Sequence, residues 1–329
     1  MIVTLLFIII AIAMAHHNRG PKNKYQSEMS FKKIRGIIPP MVTPLLEDNV
    51  LDRDGAVRIV EHMIKGGVHA IFLLGTTGEA QSIPSELRYE FVELVCRQVA
   101  GRVPVLVAIT DTSIDDSLKL AGFAKAQGAA GVVAAAPYYF PMSQEELVCY
   151  FSALADRSPL PVYLYNMPSH VKAFLEVPTV VKLAAHPNIA GLKDSSANMN
   201  YFRTLYHHLG GREDFALYVG PEELTGECVL MGADGGINGG ANMFPELYVS
   251  MFNAAEKCDI DKVREIQKRI MAVSTTIYTV GSGSSSYLRG LKCALSQLGL
   301  CNGHLALPYR DFDEEHKAKV AMALKNLGC

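Results

Sequence analysis

The chain has 329 residues, 49% of them apolar and 19% charged, with 31 Lys and Arg against 33 Asp and Glu. That composition sustains a large buried core and excludes intrinsic disorder as the main state. A formal charge of −2 leaves no basic excess for a phosphate backbone, which argues against nucleic acid as a partner.

Residues 2–15 read IVTLLFIIIAIAMA, a run of 14 that is almost wholly apolar and shorter than the roughly 20 residues a membrane-spanning helix needs. Its length suits the apolar part of a signal peptide, and Ala13-Met14-Ala15 resembles a cleavage site, but no Lys or Arg precedes it. Met29 opens MSFKKIRGIIPPMVTP, which reads as the start of a domain. The expectation is that residues 1–28 are an apolar leader and that 29–329 form a cytoplasmic protein with no membrane attachment in its mature form. Export through residues 1–15 is the alternative.

From residue 36 short apolar runs alternate with longer segments of helical period. The runs are Ile37–Val42, His69–Leu74, Val103–Ile109, Gly131–Ala136, Val162–Tyr165, Ile189–Lys193, Ala216–Val219 and Gly235–Ile237. Between them Asp52–Lys65, Ser85–Val99, Ser113–Gln127, Ser143–Asp156 and Met199–Leu209 repeat apolar residues at i, i+3 and i+4. Asp52, Ser85 and Ser143 suit N-caps, and Gly66, Gly101 and Gly128 suit the helix ends. Strands apolar on both faces belong to a parallel sheet covered by helices, and eight in strict alternation predict an α/β protein, a (β/α)8 TIM barrel. An open doubly wound sheet is the runner-up, but its G-x-G-x-x-G is missing, the first run ending in Val42-Thr43-Pro44. Residues 259–329 add helical segments without a strand. They read as a C-terminal helical extension of one domain, with the barrel at 34–258. The seven scattered cysteines are odd in number and lack C-x-x-C, so they read as free thiols rather than a disulfide framework or zinc site.

In such a barrel the reactive residues lie at the C-terminal ends of the strands. That selects Thr43, the turn Gly75-Thr76-Thr77-Gly78-Glu79, Tyr138-Tyr139, Tyr165-Asn166, Lys193-Asp194 and Gly220. A lysine closing an apolar strand either escapes to solvent or sits desolvated as an amine able to attack a carbonyl. The glycines at 75 and 78 allow a close backbone approach, and successive N–H groups with two hydroxyls suit a carboxylate or phosphate; a helix-capping turn is the plainer reading. Tyr165 is either a half-buried phenol or a proton shuttle. The histidines show no metal-binding spacing, and no catalytic metal is expected.

Taken in order, GTTGE at 75–79, PYY at 137–139, YNMP at 165–168 and GLKDSS at 191–196 resemble the dihydrodipicolinate synthase / N-acetylneuraminate lyase family over about residues 34–325. The resemblance implies class I, pyruvate-dependent aldolase chemistry without a cofactor. Lys193 would form a Schiff base with pyruvate or another 2-keto acid, and Tyr165 would be the acid/base. Thr76 and Tyr139 match the proton-relay positions, the tyrosine reaching in from a neighbouring subunit of a homodimer or homotetramer. Thr77 with the amides from Gly75 onward would hold the pyruvate carboxylate, and the Ile237 backbone would contact it. Two departures bear on the second substrate, an aldehyde. His170 stands where the synthases carry an arginine for the aldehyde's carboxylate, and an imidazole cannot make the same bidentate fork. Gly220-Pro221-Glu222-Glu223 resembles the lyases' sugar-binding segment, so Glu222 and Glu223 are expected to accept hydrogen bonds from a polyol; solvated carboxylates at a helix N-terminus are the alternative. The expected product is a 2-keto-3-deoxy sugar acid or an N-acetylneuraminate-type compound. A 4-hydroxy-tetrahydrodipicolinate synthase and a non-catalytic 2-keto-acid-binding protein are the alternatives.

Overall fold

The computed structural model describes residues 33–328. The leader at 1–28, the start at Met29 and the export reading all lie outside the described residues.

Eight strands run parallel: β1 (Gly36–Ile37), β2 (Ile71–Leu73), β3 (Val105–Ala108), β4 (Gly131–Ala135), β5 (Val162–Asn166), β6 (Ile189–Asp194), β7 (Ala216–Val219) and β8 (Gly235–Gly236). Their spatial order is β1-β8-β7-β6-β5-β4-β3-β2. Every strand residue is buried, the pattern of a sheet covered on both faces.

The first strand is shorter than the expected Ile37–Val42. Pro39 and Pro40 carry no N–H and cannot donate to a ladder. The chain still reaches β2 beyond them, with Phe72 N donating to Pro39 O at 2.9 Å and Met41 N to Phe72 O at 2.8 Å. These bonds give the β1 segment a parallel neighbour on both sides.

The helices are α1 (Arg53–Lys65), α2 (Ser85–Val99), α3 (Ile114–Ala126), α4 (Gln144–Arg157), α5 (Pro168–Val171), α6 (Val177–Leu183), α7 (Met199–Leu209), α8 (Thr225–Leu230), α9 (Pro245–Glu256), α10 (Ile260–Thr276), α11 (Ser286–Gln297) and α12 (Glu314–Asn326). Asp52 caps α1 by accepting from Gly55 N, and Ser143 with Glu146 forms a capping box on α4. Ser85 is instead the first residue of α2, with Pro84 at the cap. Gly101 and Gly128 follow their helices with positive φ, as helix-ending glycines do. The sequence pattern passes over α5, α6, α8 and α9. Three of these are a turn or two long, and α9 buries residues on most of its circumference, so neither kind shows one clear apolar stripe. Among the described residues, no helix is long and apolar enough to cross a membrane.

Candidate active site

Strand pairing places the central side chains. Lys193 on β6 and Tyr165 on β5 are register partners, so their side chains leave the sheet on the same face. Both are buried and both line a cavity of about 980 Å³, together with Thr76, Thr77, His170, Gly220 and Ile237. A smaller cavity of about 450 Å³, near His62 and Met243, contains none of the predicted residues.

The Lys193 Nζ lies 4.2 Å from the centre of the Tyr165 ring and 5.3 Å from that of Phe72. The Tyr165 hydroxyl is 3.4 Å from Thr76 Oγ1. Burial works to raise the pKa of this phenol, but the charge of Lys193 and polar contact with Thr76 and Ser195 outweigh it and hold the pKa below its ordinary value. Thr77, also buried, places Oγ1 3.1 Å from the Tyr287 hydroxyl. The turn that carries both threonines closes with Gly78 N donating to Gly75 O at 2.9 Å and is tied down by Thr43 Oγ1 donating to Gly78 O at 2.6 Å. A Cβ on Gly75 would come within 2.7 Å of the Phe72 ring, so a glycine there lets that ring pack beneath the turn. At Gly220 a Cβ would collide with Ser195 Oγ.

Asp194, next to Lys193 in the chain, ties the neighbouring loops together. Its Oδ1 accepts from Asn166 Nδ2 at 2.8 Å and from Ser196 N at 3.1 Å, and its Oδ2 accepts from Ser196 Oγ at 2.9 Å. Asn166 Oδ1 in turn accepts from Leu175 N. The pair thus fixes the loops after β5 and β6 on either side of the lysine.

Ile237 is buried and its N–H is spent on Val219 O, so a ligand contact at this backbone position falls to the carbonyl. His170 sits on α5, where its Nδ1 is 2.9 Å from Ser169 Oγ. Partial burial, then the charge of Lys193, push the imidazole below its ordinary pKa, so it is neutral at pH 7.

Two expected residues stand apart from this constellation. Tyr139 is 85% exposed and does not line the cavity, though Tyr138 does. Beside it Phe140 is 77% exposed, which makes an apolar prominence. Glu222 lines the cavity with most of its acceptor capacity engaged inside the protein. Its Oε1 accepts from Tyr248 OH at 2.5 Å and from Tyr278 OH at 3.0 Å, and its Oε2 accepts from Gly240 N at 2.8 Å. The carboxyl is a buried hub of internal hydrogen bonds, and burial pushes its pKa up to about 7. Glu223, less buried, also lines the cavity.

Sequence reasoning passed over Tyr278, Tyr287, Ser284 and Ser285, all of which line the cavity. They follow no strand, and searching strand ends cannot find them. Among the described residues, no three His, Cys, Asp or Glu side chains gather as a metal site would require. The arrangement offers an amine packed against a phenol, hydroxyls within reach of that phenol, and a glycine turn with amides for an anion.

Comparison with known proteins agrees in extent and topology. A family model described as the dihydrodipicolinate synthetase family matches residues 33–327. A solved dihydrodipicolinate synthase from Bacteroides thetaiotaomicron is 51% identical and superimposes with a TM-score of 0.88 over 90% of this chain and 99% of its own. A probable 2-dehydro-3-deoxy-D-pentonate aldolase of Escherichia coli is 32% identical over 90% of this chain and 98% of its own. YagE, an Escherichia coli prophage protein of the dihydrodipicolinic acid synthase family solved in complex with pyruvate, is 29% identical with a TM-score of 0.84, over 89% of this chain and 98% of its own.

Proposed function

This chain belongs to the dihydrodipicolinate synthetase family, and from that membership we propose that it is a Schiff-base lyase joining pyruvate to an aldehyde, or cleaving the product. The observation that carries the reading is the placing of Lys193 Nζ 4.2 Å from the Tyr165 ring inside the large cavity. The architecture fits: we read the described residues as one domain, a (β/α)8 barrel with a helical extension, supported by the strand order and by helices α10 to α12.

In the synthetic direction the Lys193 amine adds to C2 of pyruvate and water leaves, giving an imine. Loss of a C3 proton gives the enamine, whose C3 attacks the aldehyde carbon while the aldehyde oxygen gains a proton. Hydrolysis of the new imine consumes the water and returns Lys193. Tyr165 carries these protons, relayed through Thr76 and through Tyr139 of a second copy in a homodimer or homotetramer. The exposure of Tyr139 on the single chain supports a role completed by assembly. Thr77 and the amides of the turn hold the carboxylate, and the Ile237 carbonyl contacts the keto acid.

For the aldehyde we favour a polyhydroxylated compound, giving a 2-keto-3-deoxy sugar acid or an N-acetylneuraminate-type product. Uncharged His170, Glu223, and the hydroxyls of Ser284 and Ser285 at the cavity wall support it, as does the similarity to a pentonate aldolase. The second reading, 4-hydroxy-tetrahydrodipicolinate synthase, is favoured by the 51% identity to a protein described as that type of synthase. The cytoplasm is the compartment we propose.

Borohydride reduction with and without pyruvate, followed by peptide mapping, tests the mechanism. A pyruvyl adduct on Lys193 is expected. Folded protein that yields none would favour the non-catalytic 2-keto-acid-binding protein. A panel of aldehydes then orders the substrates, and efficient turnover of aspartate semialdehyde would favour the synthase reading over the sugar-acid one.

A further inference from the structure

The turn at 75–79 is held from a direction that strand topology does not anticipate. Glu79, at its end, is fully buried and left-handed, with φ of 54°, a conformation unusual for a residue with a side chain and sustained only by its surroundings. Its carboxylate forms an ion pair with Lys292 of α11, which is itself 1% exposed. Its other oxygen accepts from Ala306 N at 2.9 Å, and Lys292 donates to His304 O at 2.6 Å. Five residues earlier on the same helix, Tyr287 meets Thr77 at 3.1 Å. One helix of the C-terminal part therefore grips the turn at two points, by a charge at Glu79 and by a hydroxyl at Thr77.

A buried ion pair is not needed for stability as such, since well-packed apolar residues serve as well. What it adds is direction: a carboxylate bonded through both oxygens fixes the backbone that carries it. Lys292 does not line the cavity and touches no reacting atom. We infer that Lys292 and Tyr287 are positioning residues that hold the Thr76-Thr77 turn in its carboxylate-binding shape, through Glu79 and Thr77 respectively. The inference rests on the proposed binding of pyruvate at this turn.

The test uses the full chain with two alterations. Tyr287→Phe keeps the ring and removes the hydroxyl. The double change Glu79→Gln with Lys292→Met removes both charges together, because removing one alone would strand the other. Two quantities are read on folded protein: the pyruvate concentration giving half-maximal borohydride trapping, and hydrogen exchange at the Gly78 and Glu79 amides. Both variants are expected to trap Lys193 at saturating pyruvate, with half-saturation raised about tenfold or more, an unchanged KM for the aldehyde and faster amide exchange. A merely structural role would lower the melting temperature and leave the pyruvate half-saturation where it was, and that result would overturn the inference. If the wild-type chain itself gives no adduct, the proposed function fails instead, and unchanged amide exchange in the variants would then refute the positioning role by itself. Should the double variant not fold, Tyr287→Phe decides alone.

Discussion

Lys193 and Tyr165 face each other across neighbouring parallel strands, and the lysine nitrogen lies 4.2 Å from the centre of the phenol ring. The charge of the lysine is the largest of the influences that draw the phenol below its ordinary pKa against the opposite pull of burial, with the contacts to Thr76 and Ser195 adding to it.

Replacing Lys193 by Ala is therefore expected to do two things. Activity and the pyruvate adduct are lost while the circular dichroism of the fold stays, because a strand end loses a side chain without losing a ladder bond. The Tyr165 phenol loses the charge that lowers its pKa, so it titrates higher. Ultraviolet absorbance against pH measures that rise, and an unchanged titration would mean that another group sets the acidity of Tyr165.

Glu222 predicts how stability changes with pH. Its folded-state pKa of about 7 exceeds the ordinary 4.5, so the folded chain binds this proton more tightly than the unfolded one. The contribution is most favourable below pH 4.5, falls as pH rises, and levels off above 7. The whole change is about 3–4 kcal/mol, at about 1.4 kcal/mol for each pH unit between the two values. Glu222→Gln removes that slope between pH 5 and 7 in denaturant melts, whatever it does to the absolute stability. A slope equal to wild type would remove Glu222 as its source.

His170→Arg is expected to restore a cation able to grip a carboxylate. A charge-assisted bidentate contact of about 1.5–3 kcal/mol corresponds to about 10- to 100-fold in kcat/KM for an aldehyde bearing a carboxylate, such as aspartate semialdehyde. Neutral polyhydroxylated aldehydes gain nothing. Steady-state kinetics with both classes decide it, and equal effects on the two would show that His170 does not face the acceptor.

Phe140→Asp tests assembly. Phe140 and Tyr139 together form an exposed apolar prominence, and a charge placed there resists burial against a second copy. The variant is expected to elute as a monomer in size-exclusion chromatography, with its melting temperature little changed and its activity reduced through loss of the partner's Tyr139. A variant that remains oligomeric would move the interface elsewhere.

The sequence made some of this legible and hid the rest for physical reasons. Seven of the eight apolar runs contain a strand close to the expected bounds, since residues buried on both faces leave an unmistakable run. Lys193, Tyr165, Thr76 and Thr77 could be selected because each stands at a strand end, and the cavity does bring them together. The hydrogen-bonded hub at Glu222 was not legible, because its partners, Tyr248 on α9 and Tyr278 in the turn after α10, are joined to it by no local pattern. Lys292 was overlooked for the same reason, its counter-charge being in a turn on the far side of the sequence.

The join between the first strand and the last also bears on how the chain folds. Asn242 accepts from Val42 N at 3.1 Å and donates to Pro40 O at 2.9 Å, partners 200 and 202 positions apart. Gly36 N donates to Asp234 O at 2.8 Å close by. Contacts between such remote positions require a long loop to close before they return any energy. The opening strand is synthesised early yet has no neighbour on its β8 side until most of the chain exists. Strand closure is accordingly expected to be the entropically costly event in reaching the native state, and until it occurs the edge of the first strand has no β8 partner to cover it.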